Sequence, residues 1–309
     1  MDKPSISIIL PTFNRADTIN NAIESILNQT FTSLEIIIVD DASIDKTSQV
    51  VELYQKKDSR ITYVKNKENV GCSKSRNIGL RHAQAETIAF MDDDDQYADQ
   101  DVLINLYSKM KSEGAELVIA NYGLGDELRL MKRFEKDFKS NIIKSPGPFL
   151  QCVLIKKQLI TNIGVAFDSQ AIPSEDWDFF ITISKFNPIV VHCKYVSFIW
   201  NVNHNSQSLN FLKEANALAN ALAYIYKKHK HYITKNLNSK IMSDHYRRVA
   251  RVYEKANAIS QVHTFYKKAF TEYPLSIKNI FYWMMIMIGY KNTKPLIDWI
   301  RNLRGIPNA

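Results

Sequence analysis

The sequence is poor in cysteine and contains no long apolar run. Its cysteines are Cys72, Cys152 and Cys193, and they form neither a CxxC pair nor a Cys/His spacing typical of zinc ligands. This pattern indicates no disulfide framework and is typical of a protein kept in a reducing cytosol. No stretch of about 18 apolar residues occurs. The start, MDKPSISIIL, lacks the basic segment and long apolar core of a secretory signal, so we expect no membrane-spanning segment.

Glycine is also scarce, with 9 in 309 residues, and the glycine-rich loops of common nucleotide-binding enzymes are missing. Neither GxGxxG nor GxxxxGK[ST] occurs, and PTFNRAD, which follows the first apolar run, contains no glycine. These absences argue against dehydrogenases and P-loop enzymes.

The composition is that of a folded protein with an uneven distribution of charge. With 45% hydrophobic residues, the 309-residue chain can bury a full core, and we expect one large domain plus an appendage. Residues 211–309 carry 17 basic and 5 acidic side chains, whereas residues 1–210 carry 23 basic and 27 acidic ones. The basic part therefore favours an anionic partner such as a membrane surface, and nucleic acid is not expected.

The first third of the chain alternates apolar runs with stretches of helical period. The apolar runs are SISIIL, LEIIIV, ITYV and TIAFM. Because they are continuously apolar, they predict an α/β fold with a mostly parallel sheet that is covered by helices on both faces. Ligands bind such sheets at the carboxyl ends of the strands. The polar segments that follow the four runs are PTFNR, DDASID, KNKENVGCSKSRN and DDDDQY.

Further elements follow with less regular spacing. Residues 115–122 predict another strand, and residues 189–201 predict a strand pair broken at Lys194. Ser174 is expected to cap a helix whose first turn is acidic. From residue 209 the chain has helical spacing, so we expect a domain over 1–208 and a basic helical region over 209–309 that includes a helix pair.

The run FMDDDDQY places four carboxylates directly behind a buried strand. One interpretation is a solvated acidic surface. A calcium loop is rejected, because counting from Asp92 the sixth residue is Tyr97 rather than glycine and the twelfth is Leu103 rather than glutamate. The remaining interpretation is a site for Mg²⁺ or Mn²⁺, held by one or two carboxylates together with substrate phosphate oxygens.

Several motifs in order over residues 4–208 closely resemble the family 2 glycosyltransferases of GT-A fold. They are ILPTFNR, IIIVDDAS, NVGCSKSRNIGL, FMDDDDQY, SEDWDFF and NVNHNSQS. The resemblance implies a nucleotide-sugar donor, a divalent metal (Mn²⁺ or Mg²⁺) and inversion at the anomeric carbon. UDP is the first choice of nucleotide, and thymine and guanine nucleotides stay open.

The resemblance also implies which residues contact the donor. Asp41 matches the carboxylate that reads the base, Asp40 supports its loop, and Arg76 contacts the diphosphate or braces the loop of Asp41. The full set of donor-binding residues is Pro11, Thr12, Phe13, Asn14, Arg15, Asp41, Arg76, Asp92 and Asp93. The alternatives are an ordinary strand-to-helix loop, an Asx turn and a surface arginine.

Asp92 and Asp94 match the family's DxD pair, so they are the expected metal ligands, with Asp94 as the direct one. Asp93 is expected to support them, and Asp95 to contact sugar or acceptor. His204 matches a family histidine that supplies a third metal contact or touches the diphosphate. The basic residue usual two positions before it is replaced by Val202.

The motif SEDWDFF implies the catalytic base. Asp176 matches the second residue of the family's ED pair and is expected to take the proton from an acceptor hydroxyl. Glu175 or Asp178 is the alternative base, and acids that merely complement the helix dipole are the structural alternative. Trp177 is expected to line the acceptor site or to belong to the core.

The C-terminal region predicts a surface contact. Residues 276–290 are apolar on all sides but too short to span a bilayer, and they are followed by KPLIDWIRNLRG. We expect this region to bind an anionic membrane surface from the cytoplasmic side, with a lipid-linked glycan as acceptor. Burial of the same residues in a helical subdomain or in an oligomer contact is the alternative.

Two other functions remain open at this stage. A nucleotidyltransferase shares a parallel α/β sheet and an acid-bound metal, but it usually carries a glycine-rich phosphate loop that is missing here. A binding or scaffold protein that has lost turnover is disfavoured, because both the DxD pair and the ED pair are present.

Overall fold

The structure is a computed structural model. It describes residues 3–124, 127–131, 134, 137–162, 164, 166–200, 215–236 and 239–289. The chain divides into two compact units, Met1–Ser206 and Gln207–Ala309.

The first unit alternates strands and helices. Its strands are β1 (Ile6–Thr12), β2 (Leu34–Asp40), β3 (Ile61–Lys65), β4 (Thr87–Phe90), β5 (Leu117–Leu124), β6 (Glu127–Arg129), β7 (Val153–Lys156) and β8 (Val190–Trp200). Its helices are α1 (Ile19–Leu27), α2 (Thr47–Lys57), α3 (Cys72–His82), α4 (Val102–Ser112), α5 (Phe138–Lys144), α6 (Lys157–Thr161) and α7 (Glu175–Ser184), with short 3₁₀ turns at Leu150–Cys152 and Ser169–Ala171.

All eight strands form one sheet, in the order β3-β2-β1-β4-β7-β5-β6 with β8 beside β5. The strands β1 to β4 are mutually parallel, β7 is antiparallel to β4, and β5 is antiparallel to β7. Two reversals restore the direction, so β5 and its parallel neighbour β8 end at the same edge as β1 to β4. The predicted α/β class is confirmed.

Burial on both faces explains why the first strands are continuously apolar. Every residue of β1, β2 and β4 is buried. Helix α1 turns Ile19, Ala22, Ile23 and Ile26 into the core at helical spacing. Helix α3 packs so closely on β1 that a Cβ at Gly79 would lie 2.5 Å from Ile9 Cγ2, which is why glycine stands there.

The predicted break at Lys194 is wrong, because β8 is one strand of 11 residues. Its pairing with β5 shifts register around Asn121, and the Asn121 amide donates a 2.8 Å hydrogen bond to the Lys194 carbonyl. The lysine therefore marks a bulge rather than a strand end. Strands β6 and β7 were not predicted.

The second unit is helical among its described residues, with α8 (Ala215–Asn236), α9 (Ser239–Lys255), α10 (Ile259–Glu272) and α11 (Ile277–Ile288). The predicted helix pair is observed as α9 and α10. A buried polar network ties three of the helices together: Asn279 Nδ2 donates to Ser243 Oγ at 2.8 Å and to the Ala269 carbonyl at 3.0 Å. None of the described helices combines the length and the apolar character needed to span a bilayer.

Candidate active site

The loops after β1 and β2 are joined by reciprocal hydrogen bonds. The Asn14 backbone N–H donates to Ser43 Oγ at 2.9 Å, and Asn14 Oδ1 accepts from the Ile44 N–H at 2.9 Å. The Arg15 N–H donates to Thr47 Oγ1 at 2.8 Å. Asn14 has φ 53°, a left-handed conformation that asparagine tolerates well. The two loops therefore form one rigid wall at the sheet edge.

Asp40 and Asp41 are both buried and both hold loops. Asp40 accepts from the Ser43 N–H at 2.8 Å and from the Tyr63 hydroxyl at 2.6 Å. Asp41 accepts from the backbone N–H groups of Val70 (2.9 Å) and Gly71 (2.7 Å) and from Asn66 Nδ2 (2.8 Å). Asp41 therefore fixes the loop before α3, and a carboxylate has lone pairs left for one further donor.

Three of the predicted donor residues close the end of β1. Pro11 and Thr12 are buried within the strand, whereas Phe13 is half-buried. The Phe13 N–H donates to Asp93 Oδ2 at 3.3 Å. This contact fixes the loop after β1 to the acidic run after β4.

Arg76 is a buried cation that connects two predicted parts of the site. Its side chain is 6% exposed, and its guanidinium donates to Asp92 Oδ1 at 2.8 Å and to Glu175 Oε1 at 3.0 Å. The guanidinium carbon also lies 5.5 Å from the centre of the Phe167 ring. The acidic run and the first turn of α7 are therefore neighbours, although more than 80 residues separate them in the chain.

Gln151 holds the acidic run from the opposite side. Its Nε2 donates to Asp92 Oδ2 and to Asp95 Oδ2, both at 2.7 Å. Gln151 is 5% exposed and lies in the 3₁₀ turn that leads into β7. Asp92 thus accepts from Arg76 with one oxygen and from Gln151 with the other.

Arg15 supplies positive charge to the middle of the run. Its Nε lies 3.3 Å from Asp93 Oδ1, and one terminal nitrogen lies 3.7 Å from Asp94 Oδ2. Asp93 is nearly buried, whereas the Asp94 side chain is 34% exposed. The Asp92 side chain is equally exposed, at 35%, but each of its oxygens accepts a hydrogen bond, so Asp94 has the carboxylate that is more open to a ligand.

The run is electrostatically strained. Burial raises the pKa of Asp93 to about 7, with the Arg15 charge acting in the opposite direction. Burial and then the charge of Asp92 raise the pKa of Asp94, and the same two causes raise the pKa of Asp95. Two arginines thus do not neutralise four carboxylates, and a cation bound there would relieve the repulsion.

Helix α7 presents Glu175, Asp176 and Asp178 in its first turn, and Ser174 stands at its N-cap position. Burial and then the charge of Glu175 raise the pKa of Asp176 to about 7, and the Arg76 charge opposes this shift. A carboxyl with such a pKa is a stronger base than an ordinary one and is partly ionised near neutral pH. Asp178 is fully buried.

The placement of Trp177 at the acceptor site is corrected. The side chain is fully buried, and its indole N–H donates to the Ile142 carbonyl at 2.6 Å. Trp177 therefore belongs to the core between α5 and α7, because the apolar side of a helix that begins at the sheet edge must face inward. His204 and the rest of NVNHNSQS lie outside the described residues.

The residues present fit a metal that is completed by its substrate. Within the described part of the chain, no three His, Cys, Asp or Glu side chains are arranged to hold an ion by themselves. Mg²⁺ and Mn²⁺ are commonly held by one or two carboxylates plus phosphate oxygens. Asp94, which is open and has a raised pKa, meets the requirement for such a ligand, with Asp92 beside it.

Sequence reasoning expected residues 140–170 to contribute to acceptor binding but could not assign Gln151 individually, because β7 was not predicted. The run VLIK is apolar and short, and a strand antiparallel to β4 starts at the edge where β4 ends. A search for polar residues just before such runs would have found this glutamine.

The comparisons with known proteins agree with this architecture. The family model for glycosyl transferase family 2 matches residues 7–161. The chain is 38% identical over 170 residues to the GalNAc(5)-diNAcBac-PP-undecaprenol beta-1,3-glucosyltransferase of Campylobacter jejuni. That match covers 52% of this chain and 54% of the relative, so the chain spans about half the length of that protein.

A second relative is matched over more of its length. It is the UDP-Glc:alpha-D-GlcNAc-diphosphoundecaprenol beta-1,3-glucosyltransferase WfgD of Escherichia coli, 28% identical over 219 residues, with 69% of this chain and 83% of the relative covered.

Two solved structures share the fold. S. aureus TarS 1-349 has a TM-score of 0.59 at 18% identity, with 92% of each chain covered. The mannosyltransferase PcManGT of Pyrobaculum calidifontis, in complex with GDP-Man and Mn²⁺, has a TM-score of 0.60 at 18% identity, with 96% of this chain and 83% of that chain covered. The sheet therefore has the GT-A fold, and on the family match this chain belongs to glycosyl transferase family 2.

Proposed function

We propose that the protein transfers a sugar from a UDP-sugar to a hydroxyl group of a lipid-linked glycan, with inversion at the anomeric carbon and with a divalent metal. The observation that carries the proposal is the position of Arg76. It holds the acidic run and the acidic turn of α7 together, through 2.8 Å and 3.0 Å contacts to Asp92 and Glu175. Two sets of carboxylates thus lie next to each other, as a donor site and a base require.

The wall formed by the loops after β1 and β2 is the proposed nucleotide site. Phe13 is half-buried, and the Asp41 N–H donates to the carbonyl of the preceding residue, Thr12, at 2.8 Å, so an aromatic ring and the carboxylate of Asp41 would together contact a uracil ring. UDP is favoured because the E. coli relative is named for UDP-Glc and because TarS has been solved with UDP-GlcNAc, at a TM-score of 0.57. GDP is the alternative, since PcManGT was solved with GDP-Man.

Asp94 is the proposed metal ligand, with Asp92 beside it and His204 as a candidate third contact. A bound Mn²⁺ or Mg²⁺ would supply Lewis-acid stabilisation of the diphosphate leaving group. The chain's own contribution is to hold Asp92 still, since Arg76 and Gln151 each occupy one of its oxygens. Arg15 balances the charge of Asp93 and Asp94.

Asp176 is the proposed base. It takes the proton of the acceptor hydroxyl while the acceptor oxygen forms a bond to the anomeric carbon and the bond from that carbon to UDP breaks with its electron pair. The proposed step is favoured near neutral pH, because burial and Glu175 hold the pKa of Asp176 near 7. Glu175 is itself paired with Arg76, which favours Asp176 for this role.

The names of the two relatives support this acceptor class, because both names include a sugar linked to undecaprenol through a diphosphate. Such acceptors lie in membranes, and α11 offers a surface that fits one. Five of its apolar side chains are 41–85% exposed and recur at helical spacing: Ile277, Ile280, Met284, Met287 and Ile288. The surrounding unit carries the excess of basic residues, so we propose that α11 lies on anionic lipid at the cytoplasmic face of the membrane.

The transfer is tested with labelled UDP-glucose, UDP-GlcNAc and UDP-galactose, Mn²⁺ and a synthetic GlcNAc-diphosphate lipid, followed by NMR of the new linkage. We expect a product of inverted anomeric configuration that disappears with excess chelator. A retained configuration, or equal turnover in chelator, would refute the mechanism.

Membrane binding is tested separately by co-sedimentation with vesicles that contain or lack anionic lipid. Met284→Gln and Ile280→Gln should release the protein from anionic vesicles. A dimer that is lost in these variants, without any lipid dependence, would identify α11 as a subunit contact instead.

A further inference from the structure

Four aromatic side chains form a cluster beside the acidic run. Phe149 packs against Tyr122 with ring centres 4.9 Å apart, against Phe198 at 5.7 Å and against Trp200 at 5.2 Å. Tyr122 stacks on Phe198 with an interplanar angle of 23°. We define these residues as the aromatic cluster.

The exposure of the cluster differs from that of a core. Phe198 is 1% exposed and forms its floor, whereas Tyr122, Phe149 and Trp200 are only partly buried. In the core of the same unit, Phe134, Phe179 and Phe180 are all fully buried. The outer rings of the aromatic cluster therefore present part of their surface to solvent.

The strand topology brings the aromatic cluster to the site. Tyr122 lies near the end of β5, and Trp200 ends β8, so both lie at the edge that also carries the acidic run. Phe149 comes two residues before Gln151, whose amide contacts Asp95 at 2.7 Å. Tyr97, two residues after Asp95, is bridged to Phe198.

The order of strands places the aromatic cluster on one side of the acids. The proposed nucleotide wall follows β1 and β2, the acidic run follows β4, and the aromatic cluster belongs to β5, β8 and the segment before β7. The acidic run thus lies between the wall and the aromatic cluster. A molecule bound to the aromatic cluster would therefore approach the donor from the side opposite to the donor's uracil ring.

We propose that the aromatic cluster is a sugar-binding subsite that stacks the terminal sugar of the acceptor, with Asp95, which Gln151 holds in place, facing the hydroxyl groups at its rim. The inference rests on the proposed function, and it names the acceptor subsite. A sugar ring has an apolar C–H face and a polar rim, which matches an aromatic surface flanked by a carboxyl group.

Phe149 is the residue through which the subsite is tested, because it contacts all three other rings. The full-length protein is mixed with methyl glycosides of glucose, galactose, GlcNAc and GalNAc, and saturation-transfer NMR is recorded with irradiation of aromatic protons. At least one glycoside should receive saturation on the C–H protons of one ring face. Phe149→Leu, which keeps apolar volume but removes the ring, should abolish that transfer, and Phe149→Tyr should retain it.

Phe186→Leu is the matched control, since Phe186 is 49% exposed and lies after α7, outside the aromatic cluster. It should leave the transfer unchanged. With the GlcNAc-diphosphate lipid, Phe149→Leu should raise the acceptor KM about tenfold and leave the UDP-sugar KM unchanged. Thermal unfolding of each variant confirms that the chain is folded.

The outcomes separate the two proposals. UDP binding in the wild type without saturation of any glycoside, or with saturation that survives Phe149→Leu, overturns the subsite and leaves the function standing. A change in the UDP-sugar KM alone assigns the aromatic cluster to the donor and also overturns it. Saturation of a glycoside in a protein that binds no nucleotide supports the subsite and refutes the proposed function.

Discussion

Each of the two units buries an arginine, and the two arginines have different surroundings. Arg76 in the first unit, with 6% of its side chain exposed, joins two acids of the candidate site. Arg247 in the second unit, with 9% exposed, donates to Ser243 and Asn279 in a network between helices. One arginine sits among carboxylates that repel each other, whereas the other pairs with Asp244 of its own helix and donates to the neutral groups of the network.

Buried polar groups therefore have two roles in this chain. At the sheet edge, carboxylates with raised pKa values cost stability and form the proposed site for a cation and a proton. Between α9, α10 and α11, hydrogen-bonded polar groups specify packing. Substitutions in the first set should change chemistry more than folding, and substitutions in the second should change folding more than chemistry.

The largest expected effect is that of Asp176→Asn. The variant keeps the shape of the side chain but cannot accept the proton, so kcat should fall by about 10²–10⁴-fold. The dissociation constant of UDP with Mn²⁺ should stay within about twofold. Glu113→Gln, an exposed change at the end of α4, is the control. A loss of UDP affinity equal to the loss in kcat would contradict the division of roles.

Asp94→Ala should have the next largest effect. Without the open carboxylate, UDP affinity in Mn²⁺ should fall about 100-fold and become insensitive to chelator, as measured by calorimetry. Asp99→Ala, in an exposed position after the acidic run, should bind UDP normally. If UDP binding by Asp94→Ala still depended on the metal as in the wild type, another residue would be the metal ligand.

Asn279→Ala tests the second unit. The change leaves the Ala269 and Tyr273 carbonyls without the Asn279 donor, so the free energy of unfolding should fall by about 2–3 kcal/mol. UDP affinity should not change. Asn236→Ala, at the exposed end of α8, should alter stability by less than about 0.5 kcal/mol. Weaker UDP binding in Asn279→Ala would show that the two units do not act separately.

Glu175→Gln separates the candidate bases by pH. The wild-type kcat should rise with pH towards the Asp176 pKa of about 7, because only the ionised form accepts a proton. Removing the Glu175 charge lowers the pKa of Asp176, so this rise should move to lower pH. Loss of nearly all activity would instead identify Glu175 as the base.

Asp95→Asn should have the smallest effect. Burial and the neighbouring acids raise the pKa of Asp95, so its contribution to stability is present at low pH and is lost as pH rises through the folded-state pKa. Between about pH 5 and about pH 9, the Tm of the metal-free wild type should fall by a few degrees more than the Tm of Asp95→Asn. Equal slopes would mean that repulsion in the acidic run is already neutralised.

Much of the first unit could be predicted from the sequence, because strands buried on both faces have continuous apolar runs and their polar ends must share an edge. The position of the acids of FMDDDDQY followed from this rule, whereas the role of SEDWDFF was implied by the family resemblance. The contact of Arg76 with Asp92 and Glu175 could not be predicted in this way, because it depends on how helix α3 packs over β1 at Gly79.

Other features depended on contacts that no local pattern encodes. The sequence pattern around Trp177 is the same whether its side chain faces the core or a ligand. Only the hydrogen bond from its indole N–H to the Ile142 carbonyl assigns it to the core. Lys194 interrupted an apolar run, but Asn121 from a distant strand turned the interruption into a bulge. The position of Gln151 beside the acidic run could be inferred only from the antiparallel direction of β7.

The central claim is that the acidic run holds a metal-bridged nucleotide, and calorimetric titration tests it most directly. UDP, GDP and TDP are titrated into the full-length protein with Mn²⁺ and again with excess chelator. We expect the protein to bind UDP in the presence of Mn²⁺ and to lose this binding in excess chelator. GDP and TDP should bind more weakly than UDP. Absence of binding by all three nucleotides in Mn²⁺ would contradict it, and the four aspartates after β4 would then serve another purpose.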